Sequence, residues 1–124
     1  MYAKTSIVMA ILNMYGPYDL TPVSINANVT QISPGNYALG RLKTKYAFLV
    51  FHIGRSDTDI RNKLLSWVGK TKHALFKFNY ASSPKAAFLR ECENWHDFKP
   101  SENPNHPDKP IYTDWKCPRC NAFN

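Results

Sequence analysis

Apolar and polar residues alternate at strand spacing in the middle of the chain. Residues 45–54, KYAFLVFHIG, are apolar on both alternating faces, with Val50 and His52 on one face and Ile53 on the other. This pattern predicts a central strand that is covered on both sides. Residues 34–43 open with Pro-Gly and predict a second strand directly before it. The short separation between the two indicates a tight antiparallel hairpin.

The residues after this hairpin change to a helical period. Ser56 or Asp57 can serve as the N-cap of the predicted helix, and Gly69 is a plausible stop. A polar residue at the cap and a glycine past the end are typical helix boundaries. The apolar stripe of this helix consists of Ile60, Leu64, Trp67 and Val68.

A third strand and a second helix complete the regular part of the chain. Residues 74–80, ALFKFNY, alternate aromatic and polar positions and predict the strand. Ser83 followed by Pro84 predicts the start of the helix, because serine caps a helix and proline suits its first position. The helix should end at about Phe98, with Pro100 beyond it.

The two ends of the chain are less regular. Residues 1–15 could form a short helix, and residues 16–33 indicate turns and weak strands. Residues 99–124 are too rich in proline for regular structure until a CPRC motif near the end. We therefore predict an α+β fold with a three-stranded antiparallel sheet flanked by helices. Residues 1–33 would form an N-terminal extension, 34–98 the domain, and 99–124 a proline-rich arm that packs on it.

The positive charge of the chain is concentrated in one region. The 124 residues include 16 Lys and Arg against 9 Asp and Glu, a net charge of +7. Residues 41–73 hold eight basic and two acidic residues, whereas residues 91–124 are mildly acidic. Such a basic segment favours a polyanionic partner, with nucleic acid first and an anionic membrane surface second.

The cysteine content indicates an intracellular protein. An odd number of cysteines, two of them in a CxxC motif, does not fit a secreted disulfide framework. Reduced thiols or metal ligands are expected instead. The apolar run IVMAIL near the start has six residues, too few for a signal peptide or a membrane span. We expect a soluble, cytoplasmic protein with no membrane partner.

The order of short motifs resembles the GIY-YIG nuclease superfamily. GNY at residues 35–37 is similar to the first family motif, and HIG at residues 52–54 is similar to the second. A basic helix follows, and SPKAAFLREC resembles the helix that carries the metal-binding glutamate. The resemblance covers about residues 34–98. It implies the family fold and hydrolysis of DNA phosphodiester bonds with one divalent cation, Mg²⁺ or Mn²⁺.

The resemblance also implies roles for five residues. Tyr37 stands at the position of the first motif's tyrosine, which orients or deprotonates the attacking water. His52 replaces the tyrosine of the second motif and can accept or shuttle a proton. Lys63 stands where the family has arginine, and lysine lacks the planar fork that suits phosphate. Arg55 is a second cation near the expected phosphate, and Glu91 is the metal ligand.

Helical geometry separates the two glutamates of the second helix. Glu91 flanks the apolar side and should face the sheet, whereas Glu93 falls on the polar side and should be solvated. The family also has an asparagine after the glutamate, which Asn103 or Asn105 could match. Two other functions stay open: a nucleic-acid-binding module that has lost catalysis, and a zinc-stabilised protein-interaction module that uses the arm.

A second group of residues has the spacing of a zinc site. Cys92 and His96 are four apart on one predicted helix, so their side chains lie on adjacent turns. Cys117 and Cys120 form the CxxC pair that is typical of a zinc knuckle. These four residues could hold a structural Zn²⁺ that attaches the arm to the helix, with His106 as a rival fourth ligand. Alternatively, the three cysteines are only reduced thiols.

Overall fold

The computed structural model describes residues 12–124. Most of the helix predicted for residues 1–15 therefore lies outside the described residues. Seven elements follow in the order β1, α1, β2, β3, α2, β4 and α3. Their bounds are β1 Tyr15–Asp19, α1 Pro22–Asn28, β2 Gly35–Thr44, β3 Ala47–Ser56, α2 Ile60–Trp67, β4 Leu75–Tyr80 and α3 Pro84–Phe98.

The sheet has four antiparallel strands in the order β1-β4-β2-β3. The predicted α+β class is confirmed, but the predicted three strands are one too few. The added strand, β1, lies in the part of the chain assigned to an N-terminal extension, and it pairs with β4 at the edge of the sheet. The pattern does not reveal β1 because the strand is short, mostly exposed and interrupted by a register shift between Tyr15 and Tyr18.

The prediction that residues 45–54 form a central strand was wrong, because β3 lies at an edge and β2 and β4 are central. β2 pairs with β3 on one side and with β4 on the other. β3 is apolar on both faces because packed elements cover both faces. An apolar pattern on both faces therefore does not distinguish an edge strand from a central strand when other elements cover the two faces.

A register shift in the β2–β3 hairpin changes which side chains share a face. Leu39 pairs with His52 and Gly40 pairs with Val50, so Phe51 has no partner. Simple alternation predicted that Val50 and His52 lie on the same face of the strand. In the structure Val50 instead packs in one cluster with Ile53. β-Bulges commonly redirect a side chain in this way.

Helices cover the two faces of the sheet. The larger core lies between one face and the helices α1 and α2, and it includes Ile25, Ile60, Leu64, Phe76 and Phe78. On the other face, α3 packs across β2 and β3. The buried Asn36 of β2 donates a hydrogen bond to the carbonyl of Ala87 at 2.9 Å, and this bond ties α3 to the sheet.

Polar caps start both longer helices. α3 begins as predicted, because Ser83 accepts a hydrogen bond from the amide of Ala86 and Pro84 occupies the first position. α2 uses Asp59 as its N-cap rather than Ser56 or Asp57, which leaves Asp57 free for another contact. The Ser56 hydroxyl instead accepts a bond from the Asp59 amide and shapes the turn before α2.

Residues 99–124 form no helix or strand, in agreement with their proline content. They pack along α3, where Cys117 and Trp115 contact Phe88 and Cys92 in a separate apolar cluster. No helix within residues 12–124 is long and apolar enough to cross a membrane.

Candidate functional site

The hydroxyl of Tyr37 lies at the centre of a small hydrogen-bond chain. Trp67 of α2 donates its indole N–H to this hydroxyl at 2.8 Å. The hydroxyl also lies 3.2 Å from Nε2 of His52 on β3. Because the oxygen accepts from Trp67, its own hydrogen can be donated to His52 in the tautomer whose Nε2 is unprotonated. The two predicted residues are thus in direct contact.

Gly54 makes room for this arrangement. It lies directly opposite Tyr37 in the β2–β3 ladder. A Cβ atom at position 54 would overlap the Tyr37 ring and hydroxyl, so the phenol occupies the space of the missing side chain. The glycine of the HIG motif is therefore required by the close approach of Tyr37 to the backbone of β3.

Burial favours the neutral forms of both groups. It raises the pKa of Tyr37 well above its ordinary value, although the hydrogen bond from Trp67 opposes the shift and the charge of Glu91 adds to it. Burial also lowers the pKa of His52, which the charge of Lys63 lowers further and that of Glu102 opposes. Both shifts favour the neutral forms, a phenol at Tyr37 and an imidazole at His52.

Arg55 and Glu91 form a buried ion pair on the other face of β3. A guanidinium nitrogen of Arg55 lies 2.6 Å from Oε1 of Glu91 on α3. Nε of the same arginine lies 2.8 Å from Asp57, and the guanidinium also lies over the Phe88 ring. Glu91 is only 8% exposed, as its predicted sheet-facing position implies. Burial raises its pKa, and the charge of Arg55 opposes that shift.

The charge of Lys63 acts on both of these groups. Its ammonium has no ion-pair partner among residues 12–124, and the residue is exposed on α2. Its charge nevertheless lowers the pKa of both His52 and Glu91. The structure therefore joins Tyr37 to His52 on one face of β3 and Arg55 to Glu91 on the other. The five predicted residues form two separate groups rather than one cluster, and the charge of Lys63 acts on both groups.

Two members of this site were missed from sequence. Trp67 was assigned only to the apolar stripe of α2, and Asp57 only to a helix cap. The indole N–H is a donor that seeks a partner when partly buried, which is the one signal that could have indicated Trp67. Asp57 can bind Arg55 because Asp59, not Asp57, caps α2. The spacing of the sequence does not decide which of the two aspartates is the cap.

The surroundings of Glu91 limit how it could hold Mg²⁺ or Mn²⁺. One carboxylate oxygen is bound to Arg55, which leaves the other for an ion. No cluster of three or more ligand side chains within residues 12–124 includes Glu91. Mg²⁺ commonly uses one or two carboxylates and completes its shell with water and substrate phosphate. Glu91 could take part in this mode only through the oxygen that Arg55 does not occupy.

A second group of residues can hold a metal such as zinc. The ligand atoms of His96, His106, Cys117 and Cys120 all lie within 4.8 Å of one another. Two histidines and two cysteines form a common structural zinc set. This cluster contains the rival ligand His106 and excludes Cys92. The path of the arm accounts for the difference, because it brings His106 to Cys120, whereas Cys92 is buried beside Cys117 and is not part of the four-ligand cluster.

The cluster has the polar contacts that hold metal ligands in place. The Arg119 amide donates to Sγ of Cys117 at 3.3 Å, and Arg119 also pairs with Glu93 and Asp97 of α3. Burial acts to raise the pKa of Cys117, but the Arg119 amide and the neighbouring His106, Cys120 and His96 lower it to about 6. In contrast, burial beside Cys117 raises the pKa of the Cys92 thiol, which disfavours the thiolate.

The sequence matches no known family model, and comparisons with curated proteins and with solved structures give no match either.

Proposed function

We propose that this chain is a GIY-YIG-like endonuclease that hydrolyses DNA phosphodiester bonds with one divalent cation. The observation that carries the proposal is the hydrogen-bond chain from Trp67 through Tyr37 to His52, with the buried Arg55–Glu91 pair across the same strand. A buried phenol held between a donor and a neutral imidazole is suited to proton transfer.

One sequence of steps is compatible with neutral Tyr37 and His52. Tyr37 is only 1% exposed, so the step requires an opening that admits water to its hydroxyl. The attacking water would then give a proton to the Tyr37 oxygen while the Tyr37 hydroxyl hydrogen passes to Nε2 of His52. The resulting hydroxide forms the new bond to phosphorus, the bond to the leaving oxygen breaks, and that oxygen takes a proton from solvent. His52 is therefore the base and Tyr37 the relay, because the raised pKa of Tyr37 disfavours a free phenolate.

Cations near the site would stabilise the phosphate. Lys63 is exposed and without an ion-pair partner among residues 12–124, so its ammonium can contact a phosphate oxygen. Arg55 is held by Asp57 and Glu91 on the opposite face of β3 from Tyr37 and His52, so the proposal requires the phosphate to bind at the end of the strand, where it could reach both faces. A bound Mg²⁺ or Mn²⁺ would supply Lewis-acid polarisation of the phosphate, with Glu91 as its protein ligand. Preorganised positive charge of this kind stabilises the transition state.

One observation favours a different function. The Arg55–Glu91 pair occupies one oxygen of the carboxylate that the cation needs, and both side chains are largely buried. If this pair does not open, the chain would bind nucleic acid without cutting it. The basic segment at residues 41–73 supports such a binding module equally well. A protein-interaction module is the remaining alternative if DNA is not bound at low salt.

We also infer that the ion of the His96, His106, Cys117 and Cys120 cluster is zinc and that its role is structural. Mixed imidazole and thiolate ligands favour zinc over Mg²⁺, which prefers oxygen. Four protein ligands leave no open position for substrate. Glu91 and this cluster would thus hold different metals for different purposes.

A plasmid-nicking assay with Mg²⁺ or Mn²⁺ tests the nuclease proposal. Tyr37→Phe should lower the nicking rate by ~100-fold or more, because it removes the relay hydroxyl. Glu91→Gln should remove metal-dependent cleavage while keeping a side chain of similar shape. Loss of salt-sensitive DNA retention is not expected for either variant, because neither removes a positive charge.

Two matched controls make the assay specific. Tyr46 is 90% exposed, so Tyr46→Phe should leave nicking unchanged. Glu93 lies on the outer side of the same helix and pairs with Arg119, so Glu93→Gln should also cleave normally. Full activity of Tyr37→Phe or Glu91→Gln would refute the site assignment. DNA retention without cleavage by the unmodified protein would support the binding module instead.

A further inference from the structure

The outer edge of β3 is covered by the arm rather than by another strand. The Glu102 amide donates to the carbonyl of Phe51 at 3.0 Å. The Ile53 amide donates to Oδ1 of Asn103 at 3.3 Å, and Nδ2 of Asn103 donates to the Ile53 carbonyl at 2.7 Å. The Asn103 side chain thus replaces the pair of backbone bonds that a neighbouring strand would make.

Contacts from both sides fix these two arm residues. Trp95 of α3 donates its indole N–H to the Asn103 carbonyl at 2.8 Å. Glu102 lies 2.5 Å from Nε2 of His73, a buried histidine that stacks on Phe51. The segment itself has no helix or strand to hold its shape. Its position therefore depends on the anchors around it.

Two ligands of the proposed zinc site flank the segment. His96 lies in the last turn of α3, before the segment, and His106 follows it by three residues. Nε2 of His96 lies 3.4 Å from Sγ of Cys117, and Nε2 of His106 lies 3.3 Å from Sγ of Cys120. An ion bound to all four would close the loop that contains Asn103. Metal binding of this kind contributes directly to the stability of the folded state.

We infer that zinc at this cluster holds Asn103 against β3, and that Asn103 is a positioning residue for the strand that carries His52 and Arg55. Ile53 is the residue between His52 and Gly54, so its backbone bonds fix the strand at the point where Tyr37 approaches. The inference rests on zinc binding, which is part of the proposed function, but it does not require that the chain cut DNA.

Amide hydrogen exchange at Ile53 is the direct measurement. The Ile53 N–H points away from β2 and is bonded to Asn103, so its protection reports the arm. In zinc-loaded full-length protein this amide should be protected. After zinc removal it should exchange ~10-fold faster or more, while amides of the central strands β2 and β4 change little. Adding zinc back should restore the protection.

Substitutions distinguish the effect of Asn103 on the Ile53 amide from the effect of the metal. Asn103→Ala should keep about one zinc per chain and still lose the protection of Ile53. Asn103→Asp retains an acceptor for the Ile53 N–H and should keep part of the protection. Asn105 is exposed in the same segment and makes no hydrogen bond to β3 within the described residues, so Asn105→Ala is the control and should behave as the unmodified protein.

Two further variants test the ligand set. His106→Ala should lose most of the zinc and expose the Ile53 amide. Cys92→Ala should retain both the zinc and the protection of the Ile53 amide, because Cys92 lies outside the metal cluster.

Equal protection of the Ile53 amide with and without zinc would overturn the inference. Protection that survives Asn103→Ala would overturn it as well. If the amides of β2 and β4 in a ligand variant also exchange rapidly, that variant is unfolded. The removal and reloading of zinc in the unmodified protein then tests the inference. A failed nicking assay would leave every exchange result unchanged.

Discussion

Gly54 determines how closely the Tyr37 ring can approach β3. The phenol fills the volume that a side chain at position 54 would need, so Gly54→Ala must displace Tyr37 or the strand. Overpacking of this kind costs about 1–3 kcal/mol of unfolding free energy. Because the Tyr37 hydroxyl would also lose its alignment with His52 and Trp67, we expect Gly54→Ala to reduce nicking more than thermal stability alone explains.

Gly69 provides the comparison for this prediction. It has a positive φ of 79° and open space around it, so Gly69→Ala is disfavoured by backbone strain without any contact to Tyr37. It should lower the unfolding free energy by about 1 kcal/mol and leave the specific nicking rate of folded protein unchanged. Thermal unfolding and nicking rates of both variants are the measurements. Equal activity losses would argue against a role for the Tyr37 alignment.

The pH dependence should follow His52. Burial, together with the charges of Lys63 and His73, lowers its pKa below 6.5, while Glu102 opposes the shift. The neutral form is favoured in the folded state, so this stabilisation is present above pH 6.5 and is lost as the pH falls through the lowered value. The acid limb of the nicking rate should therefore lie below 6.5, and Lys63→Gln should move it upward.

NMR titration of the His52 ring gives the pH midpoint of its protonation, and the pH profile of the nicking rate gives the midpoint of the acid limb. Comparing the two midpoints tests His52 as the proton acceptor. Agreement between the two midpoints would support His52 as the base. An acid limb above pH 7, or one that Lys63→Gln leaves in place, would contradict the assignment. Lys63→Gln is also expected to slow cleavage, so only the midpoint, not the absolute rate, tests the shift.

Single residues of the site were predictable to different degrees. Tyr37 and His52 were singled out by the family resemblance of their motifs, and the strand pattern predicted the paired strands on which the structure places them in contact. Trp67 could not be assigned, because its role depends on the distance between α2 and β2 rather than on its own neighbours. The choice of His106 over Cys92 depends on the course of an irregular arm, for which sequence periodicity carries no information.

At the level of elements, the β2–β3 hairpin extends beyond the rest of the sheet. The pairing of β2 with β4 ends at Gly40, so residues 41–49 form a two-stranded ribbon in which residues 41–46 are exposed. Arg41, Lys43 and Lys45 lie on it, and no acidic residue occurs between positions 41 and 56. The DNA major groove can admit a ribbon of this kind.

Charge reversal on this ribbon should weaken DNA binding. We expect Lys43→Glu with Lys45→Glu to lower DNA affinity by about tenfold or more, and to reduce the slope of log affinity against log salt by up to ~2. Binding measured in EDTA at several salt concentrations tests this without cleavage. Lys85→Glu with Lys116→Glu changes the net charge equally at exposed sites elsewhere. An equal loss for both pairs would indicate a general charge effect.

The predicted elements match the observed ones where side-chain periodicity is strong. The β2–β3 hairpin, the strand β4 and the helix α3 were each predicted close to their observed bounds. β1 escaped detection because a short edge strand with Pro17 and a register shift has little alternation. The bulge opposite Leu39 and Gly40 was also invisible, since an unpaired residue is defined by its partner strand and not by its own sequence.

For the whole molecule, the two edges of the sheet are closed in different ways. β1 carries Pro17 and a register shift, both of which hinder the addition of another strand. β3 is mostly apolar, and the arm occupies free backbone groups of Phe51 and Ile53. The Asn103 side chain and the loop that carries it therefore cover part of a sheet edge that would otherwise be open.

This arrangement has a consequence for how the protein behaves in quantity. A chain that folds before it acquires zinc would present the edge of β3 to other copies, and exposed apolar edges promote aggregation. The metal would then govern solubility as well as shape. Zinc supplied during synthesis should matter more for the yield of monomeric protein than zinc added after purification, because edge-to-edge assemblies form before the later addition can prevent them.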